Sequence, residues 1–301
     1  VQGQRYLIVT ADDYGIGRET SRAILDLATA GQVTGSVLLV NSPYAAEAVQ
    51  CWRRAGEPFE LGWHPCLTLD RSVAPSRLVP SLLRPDGCFW PLGRFVRRLG
   101  LGRIRPLEIE TELRAQYERF RELVGRPPSL VNSHHHVQVF PPVGAILRAL
   151  LAKQQPLPYV RRIQESLPTL VRVPGARGKR AFLTVLGRRE ARRQKQLGFP
   201  GNDWLVGVTN PPYVADAQFL VRWLRSVPGQ VVELTCHPGY LDRSLIGRDC
   251  TVSDGQLQRR VHEFWLLRHP SFREACRQAG FVLVAPADLQ ALAQGPFGHA
   301  A

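Results

Sequence analysis

The chain has 301 residues, with 39 basic against 25 acidic side chains and a net charge of +14. That length can bury a large core in one or two domains, so the fold has no need of disulfide staples. No apolar run is long enough to cross a bilayer and no signal-peptide segment follows Val1–Arg5, so a reduced, soluble, cytoplasmic protein is expected. The absence of Met points to a trimmed or conceptually translated start. Lys153, Lys179 and Lys195 are the only lysines; the rest of the positive charge is Arg. A coding bias toward Arg would produce this without functional consequence. The other reading is an anionic partner: nucleic acid, an acidic membrane surface or a phosphorylated glycan. Cys51, Cys66, Cys88, Cys236, Cys250 and Cys276 include no C-x-x-C pair. That argues against a structural zinc site or a redox motif.

The first quarter alternates strand and helix. Tyr6–Val9 reads as a strand and Glu19–Ala30 as a helix, with Ile24, Leu25 and Ala28 on one face and Gly31 as the stop. Val33–Val40 is a second strand, Tyr44–Arg54 a helix and Phe59–Trp63 a third strand. Such alternation implies βαβ units and a parallel sheet. Residues 71–106 carry five prolines, Pro75, Pro80, Pro85, Pro91 and Pro106, and read as an irregular insertion that flaps over a site. Leu107–Val124 is a helix whose Glu108, Glu110 and Glu112 favour its N-terminal turn. Ser129–Asn132 and Tyr159–Ile163 are short strands flanking a helix over Val143–Ala152. Residues 161–195 hold eleven basic groups against Glu165 and Glu190, with Arg188, Arg189, Arg192, Arg193 and Lys195 on a helix. The alternation then resumes: strands at Trp204–Thr209 and Val231–Cys236, helices at Asp216–Arg225, Gly255–Leu267 and Ser271–Gln278, and a strand at Phe281–Val284. The organisation expected is one domain over residues 1–293 and a flexible tail over 294–301.

Three segments place acids or imidazoles at the C-terminal ends of apolar strands, where α/β folds gather catalytic groups. They are Thr10-Ala-Asp-Asp-Tyr-Gly15, Gly62-Trp-His-Pro65 and Asn132-Ser-His-His-His136. An Asp and two His from three such ends form a carboxylate–imidazole set with open positions, the usual way to hold a catalytic metal. Adjacent residues leaving a strand point to opposite sides, so one of Asp12 and Asp13 can bind metal while the other faces the substrate water. The plainer reading is a pair of turn-capping acids before Gly15. His64 could equally be a hydrogen-bonded structural residue. In the triple histidine, alternation predicts that His134 and His136 share a face and His135 takes the other. His237 ends a further strand in Glu233-Leu-Thr-Cys-His-Pro-Gly-Tyr240 and is free to be a general acid, since imidazole titrates near neutral pH. Arg161 and Arg162 end the Tyr159 strand, where an Arg could orient a carboxylate base or meet an oxyanion; the alternative is one more surface Arg.

In this order the segments Leu7–Gly15, Val33–Asn41, Gly62–Thr68, Asn132–Val137 and Glu233–Tyr240 resemble the YdjC-like carbohydrate deacetylases, a family that includes chitooligosaccharide deacetylases and hopanoid-cluster homologues. The likeness spans roughly residues 5–290, and residues 161–210 resemble the hopanoid-cluster branch more than the chitobiose branch. It implies an α/β fold: a distorted, incompletely closed (β/α) barrel of the polysaccharide-deacetylase type. It implies one divalent ion held by Asp13, His64 and His134, with Asp12 as base, His237 as the acid that protonates the departing amine, and Arg161 supporting the base. The reaction implied is hydrolysis of the N-acetyl group of an acetamido sugar, in an oligosaccharide or glycolipid, to acetate and a free amine. Imidazole ligands favour zinc; a single carboxylate with waters leaves magnesium open. Nucleic acid is not expected as a partner, while peripheral membrane contact and a homodimer are left open. Two residues depart from the family pattern: Asn132 stands where Asp is usual and Gln138 where a further His is frequent. Both flank the ligands, so they bear on tuning rather than on metal binding itself. Trp63 is bulkier than usual and is expected to narrow the site. Two other readings compete: a metal-dependent phosphoesterase, supported by the basic 161–195 segment, and a non-catalytic binder of anionic glycolipid or nucleic acid.

Overall fold

The computed structural model describes residues 4–289, and the tail expected over 294–301 lies outside them. Eight strands make one sheet. They are β1 (Arg5–Tyr14), β2 (Gly35–Leu38), β3 (Glu60–Trp63), β4 (Leu130–Val131), β5 (Tyr159–Val160), β6 (Trp204–Val206), β7 (Val231–Cys236) and β8 (Phe281–Leu283). The helices are α1 (Arg18–Thr29), α2 (Ala45–Arg54), α3 (Leu92–Gly100), α4 (Pro106–Val124), α5 (Pro141–Leu151), α6 (Leu167–Arg172), α7 (Arg177–Gln196), α8 (Pro211–Val214), α9 (Phe219–Ser226), α10 (Gln256–Arg268) and α11 (Pro270–Gln278). All pairings between the strands are parallel, in the order β5-β4-β3-β2-β1-β7-β6, with β8 beside the N-terminal part of β1. β5 and β6 end the order and do not pair, so the sheet curls into a half-barrel without closing. Two backbone bonds, Val160 N–H to the Pro200 carbonyl and Leu205 N–H to the Gln164 carbonyl, stitch the gap at 2.9 Å each.

Strand periodicity sorts the side chains. On β1, Leu7, Val9 and Ala11 join the core between sheet and helices. Ile8 packs inside the curl with Val37, Leu130 and Tyr159 and plugs its floor. Two residues further along each strand the same inner face turns polar: Thr10 and Asp12 on β1, Glu233 and Thr235 on β7, Arg161 after β5, Asn132 after β4. Gly62 makes this geometry feasible on β3, because a Cβ there would stand 2.2 Å from the Leu130 carbonyl oxygen.

The insertion at 71–106 is irregular as expected, but it is tied down. It contains 3-10 turns at Ser76–Leu78 and Pro80–Leu82 and the helix α3. Glu112 on α4 accepts the Val73 and Ala74 N–H groups at 2.9 Å each, and Glu108 accepts that of Ser81 at 2.6 Å. These acids therefore anchor the insertion, where the sequence suggested only a favourable helix start. The basic segment forms the expected helix, which carries Arg188, Arg189, Arg192, Arg193 and Lys195. Its helix α7 begins at Arg177 and runs to Gln196, and the apolar stretch Ala181–Leu186 lies within it. Gly187 lets α7 approach the chain after β5 closely, since a Cβ would collide with the Ile163 carbonyl. Several of the eleven basic groups are internal: Arg180 pairs with Glu165 and Arg161 with Asp12.

Candidate metal centre and active site

A cavity of about 360 Å³ opens at the C-terminal rim of the sheet, lined by Asp12, Asp13, His64, His134, His136 and His237 among others. β1 carries both acids through a break in its register with β2 between Ala11 and Tyr14, and Asp13 has a left-handed φ of 68°. Bulges of this kind re-aim side chains near active sites. As the sequence predicts, the two carboxylates face different partners.

Asp12 is clamped. Arg161 donates to both its oxygens at 2.6 and 2.8 Å, Thr235 Oγ1 to Oδ2 at 3.0 Å, and Asn132 Nδ2 to Oδ1 at 3.3 Å. Burial alone would raise the Asp12 carboxyl, but the Arg161 guanidinium overrides it and holds the group well below the usual carboxylate range. Arg161 is fully buried and donates its Nε to Glu233 at 2.7 Å. It is therefore no surface Arg.

Asp13 gathers the imidazoles. His64 Nε2 lies 3.3 Å and His134 Nδ1 2.9 Å from Asp13 Oδ1, and ligand atoms of all three residues lie within 4.8 Å of one another. Ligands about 2.0–2.1 Å from a tetrahedral ion stand roughly 3.3 Å apart, so the spacing fits one. His64 Nδ1 donates to the Asn132 carbonyl at 2.8 Å, which frees Nε2 as an acceptor for a cation. His134 Nε2 is buried without a hydrogen-bond partner among the described residues. Asp13 Oδ2 accepts from Arg260 at 2.7 Å, and Arg260 also reaches Asp249 at 3.0 Å. Against burial, Arg260 and then His134 hold Asp13 well below the usual range, and Asp13 raises His134 against its own burial.

The charges around this floor do not cancel. Asp12, Asp13, Asp249 and Glu233 are four carboxylates met on the floor by two guanidiniums, Arg161 and Arg260, which leaves an excess of two negative charges there, Arg259 being paired with Glu263 and Lys179 standing at the mouth. A divalent cation matches that excess. The donor set, its spacing and its charge all fit such an ion.

The triple histidine corrects the strand-based expectation. His134–Val139 is a 3-10 turn in which His135 and His136 have left-handed φ of 54° and 57°, so alternation does not apply. His135 Nδ1 pairs with Thr68 Oγ1 at 2.9 Å. His136 reaches the cavity wall, where burial and then Arg161 push it down to about 3. Gln138 supports the turn: Oε1 accepts from Ser133 N and Oγ at 2.7 and 2.8 Å, and Nε2 donates to the Arg161 carbonyl at 2.8 Å. Trp63 does not narrow the site. It points out of the curl, is fully buried and packs edge-on against Tyr117 at 5.7 Å.

His237 lines the same cavity, with Nε2 4.0 Å from Asp12 Oδ2. Arg259, Arg260 and Asp249 complete the wall, and none was singled out from the sequence. On α10 the two arginines are 9 and 4% exposed. Leu92 and Val96 from α3, and Lys179, Phe182 and Leu183 from α7, form the mouth.

A family profile described as YdjC-like protein matches residues 6–278. This chain belongs to the YdjC-like family. A mouse (Mus musculus) protein named carbohydrate deacetylase is 31% identical, covering 96% of each chain. A chitooligosaccharide deacetylase of Yersinia pestis (strain Pestoides F) is 27% identical over 93% of this chain and 97% of that one. A crystal structure from Enterococcus faecalis V583, named as a candidate cellobiose-phosphate cleavage protein, superposes with a TM-score of 0.79 at 23% identity, covering 95% of this chain and 99% of that one. That likeness shows the fold.

Proposed function

We propose that this YdjC-like protein is a metal-dependent carbohydrate N-deacetylase, one domain over residues 1–293, which hydrolyses the acetamido group of a sugar to acetate and a free amine. The relatives named above as carbohydrate and chitooligosaccharide deacetylases support the substrate class. The observation that carries the chemistry is the pairing of two adjacent acids with different partners. Asp13 sits with His64 and His134 as a ligand set, and Asp12 sits with Arg161 beside it. Asp13, His64 and His134 would hold a divalent ion, which when bound would supply Lewis-acid polarisation of the amide carbonyl and acidify water. Zinc suits two imidazoles and a carboxylate best, with magnesium as the alternative. Asp12 is held ionised and oriented by Arg161, and it accepts the proton of the attacking water. His237 is the donor beside it, with Nε2 4.0 Å from Asp12 Oδ2.

The helix α7, which contributes Phe182 to the mouth, gives a second element to the proposal. Phe182 and Val185 on α7 are 56 and 70% exposed, on a helix rich in Arg. This arrangement suits a glycolipid substrate met at an acidic membrane surface. No helix among the described residues is long and apolar enough to cross a membrane. An acetate-release screen of acetamido sugars tests the main reading. Acetate from at least one of them supports it; phosphate release from sugar phosphates with no acetate would favour a phosphoesterase instead.

A further inference from the structure

Arg259 and His237 meet through a contact that decides where one proton sits. Arg259 Nη2 lies 3.1 Å from His237 Nδ1. A guanidinium has donors only, so Nδ1 must accept and the ring proton must be on Nε2. The pair is held from behind. Arg259 Nε donates to Glu263 Oε1 at 2.7 Å, and Glu263 Oε2 accepts the backbone N–H of His237. Nε2 is thereby turned to the cavity, on the side of Asp12.

We infer that Arg259 is a positioning residue that holds His237 as its neutral Nε2–H tautomer, so that His237 donates a hydrogen bond to the oxygen of the reacting amide while Asp12 alone carries the proton. The inference rests on the deacetylase reading and deepens it. The surroundings agree. Burial first and Arg259 second hold the His237 imidazolium well below its usual range; Arg260 acts the same way, and Asp13 and Asp12 oppose it without prevailing. A neutral imidazole that gave up its Nε2 proton would become an imidazolate, so its part is donation without transfer. The proton then has one route. An O–H bond of the attacking water breaks, its proton goes to Asp12, and the oxygen bonds the amide carbon. The C–N bond next breaks with its electron pair on nitrogen, which takes the proton back from Asp12.

The test is NMR of the chain labelled at its histidine ring nitrogens, as purified and after zinc loading, with H237Q identifying the His237 signals. At neutral pH the expected spectrum shows Nε2 protonated and Nδ1 bare. R259K, which keeps a cationic donor, should preserve that pattern, and R259Q should lose it. In turnover, H237Q keeps an amide donor and should exceed H237A by about a hundredfold, the scale of a retained donor at an oxyanion. A proton on Nδ1, a charged ring at neutral pH, an R259Q spectrum like the wild type, or equal turnover of H237Q and H237A would each overturn the inference. The ring spectrum decides the tautomer whether or not any acetamido sugar is turned over, so failure of the deacetylase reading is not mistaken for failure of this one.

Discussion

Asp12 and Asp13 are neighbours in the chain, yet their close hydrogen-bond and ion-pair partners do not overlap: Arg161, Thr235 and Asn132 for one, His64, His134 and Arg260 for the other. Their substitutions should therefore fail differently. Asp12→Asn is expected to keep the metal and lower kcat by about a hundredfold or more, the scale of a lost general base. Asp13→Asn, His64→Ala and His134→Ala are expected to lower metal occupancy itself. Metal content and turnover measured on the same preparations separate the two outcomes; equal loss of metal in Asp12→Asn and Asp13→Asn would refute the division. Much of this site was legible, because strand ends declare themselves by an apolar run followed by polar residues. Asp12, Asp13, His64, His134, Arg161 and His237 all emerge that way. Arg259 and Arg260 on α10 and Asp249 in the turn before it did not, because burial of charged side chains depends on what packs over them, and no local pattern encodes that.

At the scale of elements, α4 holds the insertion through Glu112, which is fully buried and accepts two backbone N–H groups and the Gln116 amide. Burial pushes its carboxyl up to about 7 despite those donors. The sign follows from linkage. A raised native value means the folded chain holds the proton more tightly, so stability falls as pH rises from about 4.5 toward 7. A gap of that size corresponds to about 3 kcal/mol. Glu112→Gln should flatten this part of the Tm-against-pH curve, since the amide cannot ionise; an unchanged slope would mean that Glu112 is ionised throughout. On α7, Phe182→Ser with Val185→Ser should weaken sedimentation with anionic liposomes at low salt while leaving Tm nearly unchanged. Equal, negligible binding to anionic and neutral liposomes would remove the membrane contact. The strand–helix alternation was readable to within a few residues at most ends. The His134–Val139 turn was not, because the left-handed backbone at His135 and His136 comes from the packing of Gln138 and Arg161 around it.

Over the whole molecule, the net charge of +14 hides a cavity floor with the opposite imbalance. Four carboxylates against two guanidiniums at the rim of a half-barrel make a place for a divalent ion. The fold brings them together from β1, the end of β5, β7, the segment leading into α10 and α10 itself. Salt screens the exposed Arg excess over about 8 Å at physiological ionic strength and barely reaches the buried floor. Raising salt should therefore weaken any attachment to an anionic surface without lowering turnover of a neutral acetamido sugar in solution. A parallel fall in both would place the surface charge in substrate capture.

The most direct measurement is acetate released per chain as zinc is titrated into metal-depleted enzyme with an acetamido sugar that is turned over. Activity should be negligible at the start and rise to a break at one ion per chain, with a primary amine formed for every acetate. Undiminished acetate release from the metal-free chain, or from the Asp13→Asn variant without bound zinc, would contradict the assignment of Asp13, His64 and His134 as the centre of the reaction.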